Sequence, residues 1–376
     1  MQTEPIRILH LIKSLGRGGA ETLLPETLKV HNKSNFVFYC IYFLPWKNQL
    51  VEEIKAAGGI VQNIPAANNI RILLQAFKIS RFIKDNKIQL VHCHLPWAGF
   101  VGRIVHLISG IPVIYTEHNK QERYQYLTRL INKFSFNLQL TAIAVSEDVA
   151  QSIKLNINPS IQVNTIVNGI NTEKFRRNLQ VGQKIREDLG ISSDAIVIGN
   201  LGVFRTQKRL NAWLEIFATV SKQNTNVRGI LVGDGPLKQD IIFQVKSLGL
   251  EEIVFLPGIQ SNANDWYAAM DIFMMTSEFE GLPLALLEAM SCECAVVATN
   301  AGGISEVVND GTNGLTVPVD QWESLVSKVQ FLLDHPAASV SMGQAARNRV
   351  VHHFSIHEMA RQLEILYQYY ADQRKY

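Results

Sequence analysis

Short, unbroken apolar runs alternate with helix-length amphipathic stretches along the whole chain. In the first half the runs are Ile6–Ile12, Phe36–Phe43, Ile60–Ile64, Leu90–Cys93, Val113–Thr116, Thr141–Val145 and Val163–Val167. In the second they are Ile196–Val203, Gly229–Val232, Ile253–Leu256, Ile272–Thr276, Ala295–Ala298 and Leu315–Val317. They are β-branched and continuous rather than alternating, as expected of parallel strands covered by helices on both faces. Such a succession of strand and helix predicts doubly wound α/β sheets.

The pattern breaks between Phe175 and Ala195, where Arg176–Gln180 is polar and Gln183–Leu189 reads as a short helix. A domain junction there predicts one Rossmann-like domain over residues 1–180 and a second over 181–355. Two such sheets facing each other would put the carboxyl ends of their strands on a central cleft, where sheets of this kind bind ligands. The last segment, Ser355 to about Gln373, reads as one helix with Ile356, Met359, Leu363, Leu366 and Tyr370 near one face. A helix crossing back there would add residues 356–376 to the first domain.

Length and composition agree with this division. A chain of 376 residues is long enough for two cores. Hydrophobic residues at 47% and charged residues at 18% exclude a disordered chain. The four cysteines, Cys40, Cys93, Cys292 and Cys294, are too few and scattered for a disulfide framework. The Cys292-x-Cys294 pair lacks nearby partners for a zinc site, so buried thiols in a reducing cytoplasm are expected. No apolar run reaches the ~18 residues that a membrane span needs. The polar start Met1–Pro5 does not read as a signal peptide.

Charge separates the halves. Residues 1–180 hold 21 Lys and Arg against 11 Asp and Glu, whereas residues 181–376 hold 15 against 22. A basic first half suits an anionic partner, such as a phosphate-bearing substrate or an acidic membrane surface. Two stretches concentrate that charge: a candidate helix Ile70–Lys87 with Arg71, Lys78, Arg81, Lys84 and Lys87, and Lys120–Lys133 with Arg123 and Arg129 beside Tyr124 and Tyr126. Basic amphipathic helices with aromatics can lie on anionic bilayers, and equally can cover a sheet while showing their charges to water. No nucleic-acid-binding module is present.

The most informative stretch runs from Thr276 to Met290. It leaves a strand, turns at Gly281 and enters a helix with Pro283 in its first turn. A helix start offers unpaired N–H groups and a positive dipole end, which suit phosphate. Glu280 in the turn and Glu288, two helical turns on, suit sugar and ribose hydroxyls, which donate strongly to carboxylates.

The Glu280-x7-Glu288 pattern, with Ala289-Met290 and Ala301-Gly302-Gly303-Ile304-Ser305-Glu306 after it, resembles retaining glycosyltransferase family 4, of the GT-B fold. Gly18-Gly19-Ala20-Glu21 is similar to the family's N-terminal glycine loop. Val91–His94, Thr116-Glu117-His118, Val145-Ser146, Val167–Asn171 and Leu231–Pro236 follow in the family's order and spacing, so the resemblance spans nearly the whole chain. It implies a nucleotide-sugar donor, with Glu280 on hydroxyls of the donor hexose, Glu288 on the ribose, and Gly281, Leu282, Pro283 and Leu284 at the hexose and diphosphate. It implies that Gly18 and Gly19 let the backbone approach the donor phosphates, that His118 lies near the transferred sugar, and that domain closure assembles these groups. It also implies saccharide or lipid-linked acceptors, with work at the inner membrane face.

The phosphate clamp departs from the family's Gly-Arg-Leu followed by Lys. Here the run is Gly202-Val203-Phe204-Arg205-Thr206-Gln207-Lys208-Arg209, with Val203 in the arginine position. Arg205 and Lys208 are the expected replacements, with Arg209 as a spare. No Asp-x-Asp occurs, so no metal and no separate cofactor is expected. Gly16-Arg17-Gly18-Gly19 lacks the dinucleotide-binding spacing, which speaks against a nicotinamide dehydrogenase. His92 and His94 close one strand; one is expected to face the core and the other, His94, the acceptor. Asn168-Gly169 and Gly233–Pro236 read as turns. The leading expectation is a hexosyltransferase using a UDP-sugar. A non-catalytic nucleotide-sugar sensor or partner subunit, and a sugar-nucleotide epimerase on the same fold, remain open at this level.

Overall fold

The protein is represented by a computed structural model that describes residues 4–372. Met1–Thr3 of the polar start, and residues 373–376 of the C-terminal stretch, lie outside the described residues. The chain forms two compact units, residues 4–169 with 356–372, and residues 170–355.

The first unit contains β1 (Ile6–Ile12), α1 (Gly19–Val30), β2 (Phe36–Tyr42), α2 (Val51–Ala56), β3 (Ile60–Asn63), α3 (Asn69–Leu73) and α4 (Ala76–Asp85). It continues through β4 (Leu90–His94), α5 (Pro96–Ser109), β5 (Val113–Glu117), α6 (Tyr126–Ser135), β6 (Thr141–Ala144), α7 (Glu147–Asn156) and β7 (Gln162–Thr165). The second begins with α8 (Leu179–Asp188), β8 (Ile196–Leu201), α9 (Leu210–Gln223), β9 (Val227–Val232), α10 (Lys238–Ser247), β10 (Val254–Gly258) and α11 (Ala263–Ala268). Then come β11 (Ile272–Met275), α12 (Leu284–Ser291), β12 (Ala295–Thr299), α13 (Ile304–Val307), β13 (Leu315–Val317), α14 (Leu325–Asp334) and α15 (Pro336–His353). The last helix, α16 (Ile356–Asp372), returns to the first unit.

Every apolar run named above contributes a strand. The first sheet is ordered β3-β2-β1-β4-β5-β6-β7 and the second β10-β9-β8-β11-β12-β13, and the strand pairings are parallel. Two-sided burial explains the continuous runs. Leu9, Leu11, Val91, Cys93, Val113 and Tyr115 point to one core, while Ile8, Ile12, Leu90 and Ile114 point to another that includes Leu363, Tyr367 and Tyr370 of α16. Chain order reverses between β1 and β4, and again between β8 and β11. At such a switch point the loops leaving neighbouring strands diverge to opposite faces and leave room for a ligand.

Helix α16 packs on α1. Its Glu364 accepts hydrogen bonds from the Asn32 amide (2.7 Å) and pairs with His31 Nδ1 (2.9 Å), while Tyr367 Oη bonds His92 Nδ1 (2.7 Å). The four cysteines are buried free thiols. Among the described residues no helix is long and apolar enough to cross a membrane.

Both basic stretches differ from a single helix. Ile70–Lys87 is split into α3 and α4, because the amide of Gln75 reaches back only three residues, to Ile72 O, and tightens the chain there. Lys87 itself has φ 52°, past the helix end. Lys120–Lys133 starts with a 3-10 turn, Gln121–Arg123, since Gln121 and Tyr124 turn inward to Glu117; α6 begins only at Tyr126.

Candidate active site

At the switch point of the second sheet, the loops after β8 and β11 meet. Lys208 ends the 3-10 turn Thr206–Lys208, and its Nζ lies 2.6 Å from Glu280 Oε1. Gln207 Nε2 donates to Glu280 Oε2 (3.2 Å) and to Phe279 O (2.8 Å). The side chains of Lys208 and Glu280 are 18% and 6% exposed, so the pair is only partly screened by water. Arg205 is exposed, and its guanidinium has no hydrogen-bond partner among the described residues. Val203 is half-buried.

Arg209 does other work than the expected spare phosphate ligand. It takes φ 44°, and its guanidinium donates to Thr276 O (3.0 Å) and Val319 O (2.9 Å). Thr276 Oγ1 donates back to Lys208 O and Arg209 O, both at 3.0 Å. Bonds from Nε and Nη2 to two carbonyls staple the loops together and leave Nη1 of Arg209 outside that staple.

Backbone contacts close the neighbouring turns. A Cβ on Gly233, which has φ 138°, would stand 1.9 Å from Gly202 O, so the Gly233–Pro236 turn lies directly on the clamp. A Cβ on Gly303 would stand 2.2 Å from Gly281 O, to which the Gly303 amide donates at 2.8 Å. Pro283 stands one position earlier than expected: it is the N-cap of α12, and its carbonyl accepts from Leu286 N (3.1 Å). The amides of Leu284 and Ala285 therefore open the helix, ahead of any intrahelical carbonyl. Gly281 and Leu284 are half-buried, and Leu282 and Pro283 are buried.

Glu280 and Glu288 have partners on different elements. Glu288, in the second turn of α12, accepts from the Tyr267 hydroxyl of α11 (2.9 Å). Tyr267 is fully buried, and burial first and Glu288 second push its phenol well above the ordinary range. The sequence pattern singles out neither Tyr267 nor Gln207. Neither carries a local signal, since both act through partners more than 20 residues away.

In the first unit, Gly18 caps α1, and the Glu21 carboxylate folds back beside it to accept from Ser14 Oγ (3.0 Å). A Cβ on Gly19 would meet nothing within 4 Å. Any need for glycine at that position comes from a bound group, not from the fold.

His92 and His94 do not face opposite ways. Two residues apart on β4, they project from the same face, both are buried, and their ring centroids are 4.2 Å apart. His10 joins them from β1, with its Nδ1 3.0 Å from His94 Nε2. Nitrogens of His10, His92 and His94 lie within 4.8 Å of one another, a spacing a metal could use. Both nitrogens of His92 are engaged, however, by Tyr367 Oη (2.7 Å) and Thr116 Oγ1 (2.6 Å). The trio thus stands as hydrogen-bonded imidazoles, with His10 Nε2 and His94 Nδ1 buried and without a partner among the described residues. With His118 they border a cavity of about 20 Å³. Burial pushes His118 down to about 4 and, together with His31, lowers His10 to about 3; His92 and His94 also fall well below the usual value.

Residues 18–174 match the family described as Glycosyltransferase Family 4, and residues 181–349 match Glycosyl transferases group 1. The chain is 30% identical over 366 residues to the N-acetylgalactosamine-N,N'-diacetylbacillosaminyl-diphospho-undecaprenol 4-alpha-N-acetylgalactosaminyltransferase of Campylobacter jejuni, covering 90% of this chain and 93% of that one. It is 24% identical over 337 residues to the UDP-Gal:alpha-D-GlcNAc-diphosphoundecaprenol alpha-1,3-galactosyltransferase of Escherichia coli, covering 86% of each. Among solved structures, Anabaena Alr3699/HepE in complex with UDP and glucose superposes with a TM-score of 0.84 at 22% identity, covering 96% of this chain and 99% of that one. In its sequence matches, its two parallel sheets and its returning C-terminal helix, the chain belongs to the group 1 glycosyltransferases of family 4, retaining enzymes of the GT-B fold that transfer a sugar from a nucleotide sugar.

Proposed function

We propose that this enzyme transfers a hexose from a UDP-sugar to a hydroxyl of a lipid-linked saccharide during polysaccharide or glycoconjugate synthesis. The observation that carries this reading is the Lys208–Glu280 pair set against the start of α12. A cation, a carboxylate and open helix amides at one point match the three parts of a sugar diphosphate: anion, hydroxyls and bridging oxygens. The UDP preference draws support from the donor in the E. coli relative's name and the UDP in the Anabaena complex. The lipid-linked acceptor draws support from the diphospho-undecaprenol in the names of both relatives.

In this reading Lys208 turns from Glu280 to the diphosphate, and Arg205 supplies the second positive charge in place of the arginine missing at Val203. No metal is assigned a role in neutralising the leaving group. The freed Glu280 carboxylate accepts from hydroxyls of the hexose, and Glu288 accepts from the ribose. Gly281, Leu282, Pro283 and Leu284 present backbone to the hexose and diphosphate. On the first unit we assign His118 to the transferred sugar, and Gly18 and Gly19 to close backbone approach.

The bond from the anomeric carbon to the diphosphate oxygen breaks, and the acceptor oxygen bonds the same face of that carbon. The acceptor proton passes to the departing diphosphate. Positive groups aimed at the developing charge lower the barrier.

The acceptor would be met at the cytoplasmic face of an anionic membrane. Ile70, Leu74 and Phe77 on and beside α3 and α4 are at least 70% exposed, as are Tyr126 and Phe134 on α6. Lys78, Arg81, Arg129 and Lys133 share those helices.

The test offers UDP-glucose, UDP-galactose and their N-acetyl forms, each with an undecaprenyl-diphosphate saccharide, and follows UDP release and the product anomer. One donor should be consumed with retention, and Glu280→Ala should lower turnover by ~10²-fold or more. Absence of UDP release from every donor, or an inverted product, would overturn the proposal.

A further inference from the structure

Glu117 closes β5 with 0% exposure, one residue before His118. Its carboxylate is surrounded by donors. Oε2 accepts from Tyr115 Oη (2.9 Å), Gln121 Nε2 (2.6 Å) and Asn132 Nδ2 (3.4 Å). Oε1 accepts from the Asn119 amide (3.3 Å) and the Tyr124 hydroxyl. Behind Asn132 stands Arg103, 1% exposed, which donates to Asn132 Oδ1 (2.9 Å), Ser135 Oγ (2.7 Å) and Gln139 Oε1 (2.8 Å). The rings of Tyr115, Phe136 and Phe100 lie 5.0, 5.2 and 5.6 Å from its guanidinium carbon.

This arrangement is costly. Two buried charges lose their hydration, and a well-packed apolar set in their place stabilises a fold as well or better. Conformational uniqueness is what such a network can supply instead, because each donor accepts only one geometry. Here that geometry is imposed on the chain around His118. The Asn119 amide folds back onto Glu117, so the peptide that follows His118 is tied to the carboxylate. Gln121 and Tyr124 pin the turn that follows, and the Gln121 amide is held further by Ser152 Oγ (2.8 Å). Side chains alternate along β5, so Thr116 faces the histidine group through His92 while Tyr115 and Glu117 face Arg103. Glu117 therefore grips the His118 backbone from behind the sheet and does not touch its imidazole.

We propose that Glu117, held by Arg103 through Asn132, is the positioning residue that fixes His118 for sugar transfer. The proposal rests on the role given to His118 above. A purely structural network would stabilise the first unit without coupling to His118, and a double-mutant cycle distinguishes the two.

Glu117→Gln, His118→Ala and the double variant are compared for kcat, donor KM and thermal midpoint. Glu117→Gln should lower kcat about tenfold or more, the order expected from a small misplacement of a reacting group, with donor KM changed less than about twofold. In the His118→Ala background the same substitution should change kcat less than about twofold, and Glu117→Asp should recover part of the loss. Wild-type kcat in Glu117→Gln, or equal losses in both backgrounds, would overturn the proposal. Normal turnover in His118→Ala would instead remove the role of His118, and this inference with it. Should Glu117→Gln fail to fold, Tyr124→Phe removes one donor from the same carboxylate and takes its place in the cycle, with the same outcomes deciding.

Discussion

The two units share one architecture, a parallel sheet with a switch point, yet they hold their polar side chains in opposite ways. In the second unit the notable groups stand on loops past the strand ends. Lys208, Gln207 and Glu280 satisfy one another there, and glycine contacts such as Gly233 on Gly202 hold the loops in place. In the first unit they are sunk into the sheet: His10, His92 and Glu117 are at most 2% exposed and bonded inside the core. In the function proposed above Lys208 must be able to change partners, and with 18% of its side chain exposed it stays in reach of water while Glu280 is buried beside it. A group that sets the position of another gains from burial, because a low-dielectric surrounding strengthens its bonds and penalises every alternative.

The largest expected effect tests the exchangeable pair. Lys208→Ala leaves Glu280 beside no cation, so turnover should fall by ~10²–10³-fold. Amide exchange in the first unit should stay unchanged. Initial rates of UDP release measure the first, and turnover within tenfold of wild type would mean that the pair is not the donor site.

Acid should separate the units next. His10, His31, His92, His94 and His118 all have lowered values, chiefly through burial, and all lie in the first unit. An unfolded histidine takes up a proton near its usual value of 6.5, whereas these do so only at lower pH. Between those values the unfolded state binds more protons, so stability falls as pH falls. The contribution is full above about pH 6.5 and is lost progressively on acidification. Hydrogen exchange of β1 and β4 amides should therefore lose protection between pH 7 and pH 4.5, before β8 and β11 do. Simultaneous loss in both sheets would erase the contrast.

The smallest effect concerns a buried group serving the second unit. Tyr267→Phe removes the hydroxyl that donates to Glu288. One such bond is worth ~1 kcal/mol, or about fivefold in donor KM, with kcat little altered. An unchanged KM would place Glu288 outside donor binding.

Strand content was legible from the chain because two-sided burial leaves an unbroken apolar run, and all the named runs form strands. The same holds for the turn before α12, where Pro283 fixes its own φ at the helix start. Several local readings differ from the structure, two of them for reasons of backbone geometry. Residues 70–87 break where Gln75 tightens its turn, and His92 and His94 share a face because the strand period is two.

What stayed hidden was the choice of distant partners. Arg209 reads as one more cation beside Lys208, yet the carbonyls of Thr276 and Val319 claim it. Glu117 reads as an ordinary acid at a strand end, until Arg103, Asn132 and Tyr124 close around it. Periodicity and turn chemistry act over a few neighbouring residues and can be read along the chain. A side chain's electrostatic fate depends on which remote groups the packed sheets and helices bring within about 3 Å, and only the folded molecule decides that.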